Sequence, residues 1–305
     1  MSTGGSKRAI LAALLANLGI AIAKFVGFAF TMSSSMLAEG VHSVADTGNQ
    51  VLLLLGGKRA SRAPTADHQF GFGRERFFWA FVVSIVLFTL GSAFAVFEGI
   101  EKILHPHQLE SPGWAIGILS VALVLESISF RTAVHEAKPA KGSGSWFRYI
   151  RHSKSPEIPV VLLEDTGALI GLVIALTAVI LDTVTGNAVW DGIGTLSIGL
   201  LLGIIAIVLC IEMKSLLIGE SASSTHEAAI RETIEKHPSV ERLINMRSEH
   251  IGPDDILVAT KLQFTGDLTM TELAAIINAI EASIRAVVPE ATRIFIEPDI
   301  HRAEI

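Results

Sequence analysis

Charge is scarce in this chain of 305 residues. Only 18% are Asp, Glu, Lys or Arg, against about 25% in an average soluble domain. Half of the residues are apolar and the mean hydropathy is +0.53. That shortage argues against a single soluble enzyme core, although the length allows about two domains. A single cysteine, Cys210, excludes a disulfide framework and any multi-cysteine zinc module. The net charge of −6 and a pI near 5.9 supply no global basic field, so nucleic acid is not an expected partner. Short-period repeats and low-complexity tracts are absent. Gly71-Phe72-Gly73 follows no strand and matches no phosphate loop.

Long apolar runs stand in place of charge. Six stretches, at about 9–30, 34–57, 77–99, 113–134, 159–182 and 188–213, reach the roughly 20 residues that a spanning helix needs. A helix satisfies its own backbone in lipid, which makes it the expected form. The first stretch follows Lys7 and Arg8 without a small-residue cleavage site and reads as a spanning helix, not as a cleaved signal. The connections differ sharply in positive charge. Lys58, Arg59, Arg62, Arg74 and Arg76 crowd the loop between the second and third spans. Lys138, Lys141, Arg148, Arg151 and Lys154 crowd the one between the fourth and fifth. The loops before the second and sixth spans carry no Lys or Arg. The positive-inside rule then puts both termini and the two basic loops in the cytoplasm. The expected protein is a mainly α membrane protein with a transport domain at 1–218 and a cytoplasmic domain at 219–305, in the inner membrane of a bacterium.

The expected second domain follows an αββαβ order. A helix over His226–Lys236 precedes strands at Val240–Ile251 and Ile256–Phe264, joined by the turn Gly252-Pro253-Asp254-Asp255. A helix over Met270–Val287 with Thr269 or Thr271 as N-cap follows, then a short strand at Arg293–Ile296. Such an order predicts helices on one face of a sheet.

Ionisable groups inside spans are expensive, and they mark where chemistry is to be sought. Glu39, His42, Asp46 and Asn49 are spaced three, four and three apart, on one face of the second span. His42 lies about 14 Å from the outer end of that span at 1.5 Å per residue. A His and a carboxylate four apart can grip one divalent cation. The competing reading is a polar seam that glues helices together, with Ser33, Ser34, Ser35, Ser43 and Thr47 as its hydroxyls. In the fifth span Glu164 and Asp165 are adjacent carboxylates, and a cation or a retained proton would relieve their repulsion. Glu126 reads as a proton carrier or a strut, Asp191 as a residue opening the sixth span, and Glu98 and Glu101 as interfacial.

These residues resemble the cation diffusion facilitator family of metal/proton antiporters. The likeness rests on Leu37-Ala-Glu-Gly-Val-His42-Ser-Val-Ala-Asp46-Thr, on His68-Gln-Phe-Gly-Phe-Gly-Arg74-Glu-Arg-Phe-Phe-Trp79 and on Glu98-Gly-Ile-Glu-Lys-Ile-Leu-His-Pro106. Asp191-Gly-Ile-Gly and Leu217-Ile-Gly-Glu220 extend it along nearly the whole chain. The resemblance implies six spans, a ferredoxin-like cytoplasmic domain, a homodimer, and a metal site on the second and fifth spans. His42, Asp46 and Asp165 match ligand positions. The remaining position falls on Val161, which cannot bind metal, so Glu164 becomes the substitute ligand. The Leu-Leu-Glu-Asp form resembles a divergent subgroup that includes mitochondrial zinc-transporter homologues. Relatives often bind metal in the cytoplasmic domain. Here His226, His237, His250 and His301 read as surface residues, and Glu249, His250, Asp254 and Asp255 are the best available cluster.

The expected activity is efflux of a divalent metal against inward protons, with no enzymatic step and no prosthetic group. Zinc is the first choice of cargo, with manganese, iron, cobalt and cadmium as alternatives for an oxygen-rich set with one imidazole. Metal, protons, membrane lipid and a second copy of the chain are the expected partners. Competing classes are an intramembrane metal hydrolase, for which an H-E-x-x-H motif is missing, and a metal sensor.

Overall fold

The computed structural model describes residues 3–109 and 111–301 and is mainly helical, with a small sheet toward the C-terminus. Helix α1 runs Thr3–Thr31, α2 Ser34–Ala60, α3 Glu75–Leu104, α4 Pro112–Lys141, α5 Glu157–Thr185 and α6 Val189–Ile218. A two-turn helix, Trp146–His152, interrupts the connection between α4 and α5. The helices overrun the apolar stretches because polar turns, such as Lys58 to Ala60, continue the winding outside the apolar window. Among the described residues, α3, α4 as far as Pro139, α5 and α6 are each long and apolar enough to cross a membrane. The protein is therefore a multi-pass membrane protein. Helix α1 is apolar over Asn17–Thr31; the side chains of Lys7 and Arg8 lie outside the described residues. Helix α2 is about 40 Å long at 1.5 Å per residue, but Glu39, His42, Asp46 and Asn49 dilute its apolar character.

The chain divides into two compact units. One comprises Met1–Lys58 and Phe78–Met213, the other Arg59–Phe77 and Lys214–Ile305.

In the first unit, α3 is wound as a π-helix over Leu87–Ala93, a local widening that often marks functional positions. Asp191 opens α6 as expected and does more. It sits in the first turn of α6, but its carboxylate serves another helix. It accepts from the Ser33 hydroxyl at 2.9 Å and from the backbone amides of Ser34 at 2.8 Å and Ser35 at 3.3 Å. A fully buried carboxylate thus caps the start of α2 from 157 residues further along the chain. The Ser35 hydroxyl and Thr195 complete the same knot. Losing a cap costs about 1 kcal/mol, and charge-assisted bonds add about 1.5–3 kcal/mol each. Asp191→Ala is therefore expected to lower the melting temperature of the purified protein sharply, and Asp191→Asn less so. Equal melting of Asp191→Ala and the parent would contradict the capping role.

The second unit carries α7 (Ser224–Glu235), β1 (Val240–Gly252), β2 (Asp255–Phe264), α8 (Met270–Val287) and β3 (Arg293–Pro298). The sheet order is β1-β2-β3, antiparallel between β1 and β2 and parallel between β2 and β3. The α8 crossover accounts for the parallel pair. Along β2, Ile256, Val258, Thr260 and Leu262 are buried and their neighbours are not, the two-residue period of a strand with one covered face. Ile230 and Ile234 of α7 and Ile280 and Ile284 of α8 cover that face and close the core with Ile294. Thr269 caps α8 through a reciprocal capping box with Glu272. The Thr269 hydroxyl and amide that Glu272 accepts hold its carboxyl below the usual range.

Candidate functional site

The site is built where α2 faces α5 within the first unit. On α2, Glu39, His42, Asp46 and Asn49 are all buried. His42 Nε2 lies 3.5 Å from Asp46 Oδ2, four residues along the helix. Neither His42 ring nitrogen has a hydrogen-bond partner, and neither does Asp46 Oδ1. Unpartnered buried polar atoms cost about 1–3 kcal/mol each, so stability alone does not account for them. On α5, Glu164 and Asp165 are buried as well. Asn49 Nδ2 donates to Glu164 Oε1 at 2.6 Å and ties the two helices together. Asp165 takes a hydrogen bond from Ser129 of α4, and its Oδ2 has no partner. Glu164 lies within electrostatic range of both Asp46 and Asp165, and Asp165 of Asp46 and Glu126. Gly91, in the π-wound part of α3, completes the wall beside the imidazole. A Cβ there would stand 3.9 Å from His42 Nδ1.

The structure therefore brings all four expected site residues, His42, Asp46, Glu164 and Asp165, into one buried region, with Glu126 at its edge. Among the described residues, no three His, Cys, Asp or Glu side chains are drawn together closely enough to hold a metal ion. The hydroxyls of the competing reading fare unequally, for Ser43 accepts from Lys24 of another helix and Thr47 does not leave its own. Ser33, Ser34 and Ser35 serve the Asp191 knot, and Thr47 bonds the Ser43 carbonyl of its own helix. Sequence reading missed Lys24. It is fully buried on α1 and donates to Glu39 Oε2 at 2.9 Å and Ser43 Oγ at 2.8 Å. A lysine inside the first apolar stretch was the available signal. Glu39, which shares the face of His42, is thereby engaged by an ammonium. Cys210 is half-buried, with its sulfur 3.0 Å from Ser84 Oγ.

Residues 10–218 match the model of the cation efflux transmembrane domain, and residues 222–300 that of the cation efflux protein cytoplasmic domain. The chain belongs to the cation efflux family. It is similar to the mitochondrial proton-coupled zinc antiporter SLC30A9 of Mus musculus, 32% identical over 246 residues, which is 80% of this chain and 43% of that protein. It is also similar to metal tolerance protein C4 of Arabidopsis thaliana, 30% identical over 267 residues, 87% of this chain and 58% of the relative. Mitochondrial metal transporter 2 of Saccharomyces cerevisiae matches over 78 residues at 35% identity, 26% of this chain and 16% of the relative. The chain spans less than half the length of the mouse protein. The family is one of cation efflux proteins, transporters and not enzymes, and the mouse and yeast relatives are named as an antiporter and a transporter.

Within this cation efflux protein the second unit is less promising as a metal site. Glu249 pairs with Arg74, Asp254 with Arg76 at 2.9 Å, and Asp255 accepts from Thr292 at 2.9 Å. His250 corrects the expectation of a surface residue. It is buried in the hairpin, with Nδ1 3.1 Å from the Gly252 carbonyl. Its place near the turn makes it part of the packing there. The carboxylates of the candidate cluster are thus spent on pairs within the second unit.

Proposed function

We propose that this chain exports a divalent transition metal, zinc before others, in exchange for protons, through a site made of His42, Asp46, Asp165 and Glu164. The observation that carries this reading is His42. Its imidazole is fully buried, both nitrogens lack partners, and three carboxylates on two helices lie in the same region. Membership of the cation efflux family supports it, as does a relative named as a proton-coupled zinc antiporter. Binding requires a neutral imidazole and ionised carboxylates, so loading releases protons and an inward proton gradient favours release on the far side. The donor set of one imidazole and several carboxylates suits zinc and admits manganese, iron, cobalt or cadmium.

In this reading α1 to α6 are six spans, with α2 accepted as a span despite the polar face that the cargo needs. The division at residues 218 and 219 separates a transport domain from a ferredoxin-like cytoplasmic domain, and the protein works as a homodimer. Both termini and the basic loops face the cytoplasm by the positive-inside rule. A bacterial inner membrane remains the proposed location, beside relatives whose names place them in mitochondria.

The test is transport by purified protein in liposomes. Zinc uptake is expected to rise when an opposing proton gradient is imposed and to collapse when it is dissipated, with protons moving in return. A metal panel in the same vesicles ranks the cargo. Calcium or magnesium as the best substrate, or flux indifferent to the gradient, would overturn the proposal.

A further inference from the structure

We infer that the Lys24–Glu39 ion pair is a charge gate that closes the path between the His42–Asp46 site and the Ser34 end of α2. This rests on the transport site proposed above. The ammonium of Lys24 bridges successive turns of α2 by reaching both Glu39 and Ser43. Glu39 Oε1, fully buried and without a partner, abuts Gly171 of α5, where a Cβ would stand only 2.5 Å from it. The pair thus joins α1 to the two helices that carry the site.

Its depth is what matters. Glu39 lies one helical step of about 4.5 Å from His42 and about 10 Å from Asp46, toward Ser34. Gly171 lies about 9 Å beyond Asp165 along α5 in the same direction, since α2 and α5 run oppositely in the proposed topology. A cation leaving the site that way passes between α2 and α5 at this level, where a buried ammonium repels it. Lys24 is also within electrostatic range of His42 and Asp46. Adhesion of helices does not explain the pair, because apolar residues of similar volume hold helices as well as a buried ion pair does. An intramembrane charge pair is retained for function. Passage requires the cargo to displace Lys24 and borrow the Glu39 carboxylate, whose bare Oε1 is the first handle. Glu39 is then a relay for the cation, and Lys24 is the resident charge that reoccupies it afterwards.

The test uses accessibility, which needs no metal. In the 305-residue chain in liposomes, Cys210→Ser removes its one thiol and Asp46→Cys places a reporter two turns beyond Glu39. A membrane-impermeant thiol reagent is added separately to each side. With the pair intact, labelling from the Ser34 side is expected to be slow. Adding Lys24→Met with Glu39→Gln, which leaves no unpaired charge, is expected to speed it about tenfold, the change that removing about 1.4 kcal/mol of barrier gives. The exchanged pair, Lys24→Glu with Glu39→Lys, is expected to restore protection. Equal labelling of the intact and neutral forms, or an exchanged pair that is folded but unprotected, would overturn the gate. Failure of the transport site itself reads out separately, as zinc affinity that His42→Ala leaves unchanged.

Discussion

Zinc flux is expected to fall to background when either His42 or Asp46 is replaced by alanine, while the protein stays folded. The two halves of this expectation come from one observation. Both His42 nitrogens and Asp46 Oδ1 are buried without hydrogen-bond partners. Removing either side chain breaks only the 3.5 Å contact between His42 Nε2 and Asp46 Oδ2 and relieves a desolvation cost of about 1–3 kcal/mol for each unpartnered atom. The melting temperature should therefore hold or rise, although each truncation leaves a small void. Activity should move the other way, because sites kept at a cost in stability are kept for function. Loss of a group that only supports a metal ligand lowers affinity about 10–100-fold, so loss of a ligand should exceed that range. Isothermal titration with zinc and vesicle flux, measured beside thermal melting, check both halves. Full transport at low zinc by either variant would remove that residue from the site. A collapsed melting temperature would instead assign it a structural role. Asp191→Ala is the contrasting case, since its carboxylate is fully bonded and its loss should act on stability first.

The spans were legible because lipid imposes length and apolarity on a continuous stretch, a one-dimensional constraint. The stretch at 159–182 became Glu157–Thr185, and that at 188–213 became Val189–Ile218. The sheet unit was legible for the same kind of reason. Alternation marked Ile256 to Phe264, Gly252 to Asp255 spelled a turn, and Thr269 or Thr271 marked the start of the last helix, where the structure chooses Thr269. On α2 the three- and four-residue spacing placed Glu39, His42, Asp46 and Asn49 on one face without reference to any other helix. What stayed hidden depends on which helices meet. Lys24 reads as a single charge in an apolar run, and only its contact with Glu39, fifteen residues on, reveals a pair. Asp191 looks like an ordinary N-terminal acid of its own helix, yet its bonds are made 157 residues away with Ser34. The π-wound turn of α3 leaves no mark in apolar periodicity. The pairing of Arg74 and Arg76 with Glu249 and Asp254 joins segments some 175 residues apart, which neither the count of basic residues nor a local motif encodes.

The same separation of local from long-range information governs Glu164, where the largest remaining effect is expected. Asp165→Asn should damage zinc binding as severely as the α2 substitutions do, since it keeps size and removes a carboxylate with an unpartnered oxygen beside Asp46. Glu164→Gln is the sharper experiment. A glutamine can still accept from Asn49, whose amide now reaches Glu164 Oε1 at 2.6 Å, so the link between α2 and α5 survives and only the charge is lost. Adjacent buried carboxylates need compensation by a cation or by protons. If Glu164 supplies the ligand that Val161 cannot, Glu164→Gln should lower zinc affinity by more than about a hundredfold, beyond the range for a supporting group. It should also reduce the protons released on binding by about one per ion. Asn49→Ala provides the comparison, because it frees Glu164 but removes no charge. Its effect should stay within about 10–100-fold and leave the proton count intact. Titration of zinc into weakly buffered protein, with proton release followed by a pH dye, measures both quantities at once. Unchanged affinity and unchanged proton release in Glu164→Gln would leave His42, Asp46 and Asp165 as the core of the site, with Glu164 acting only as the partner of Asn49.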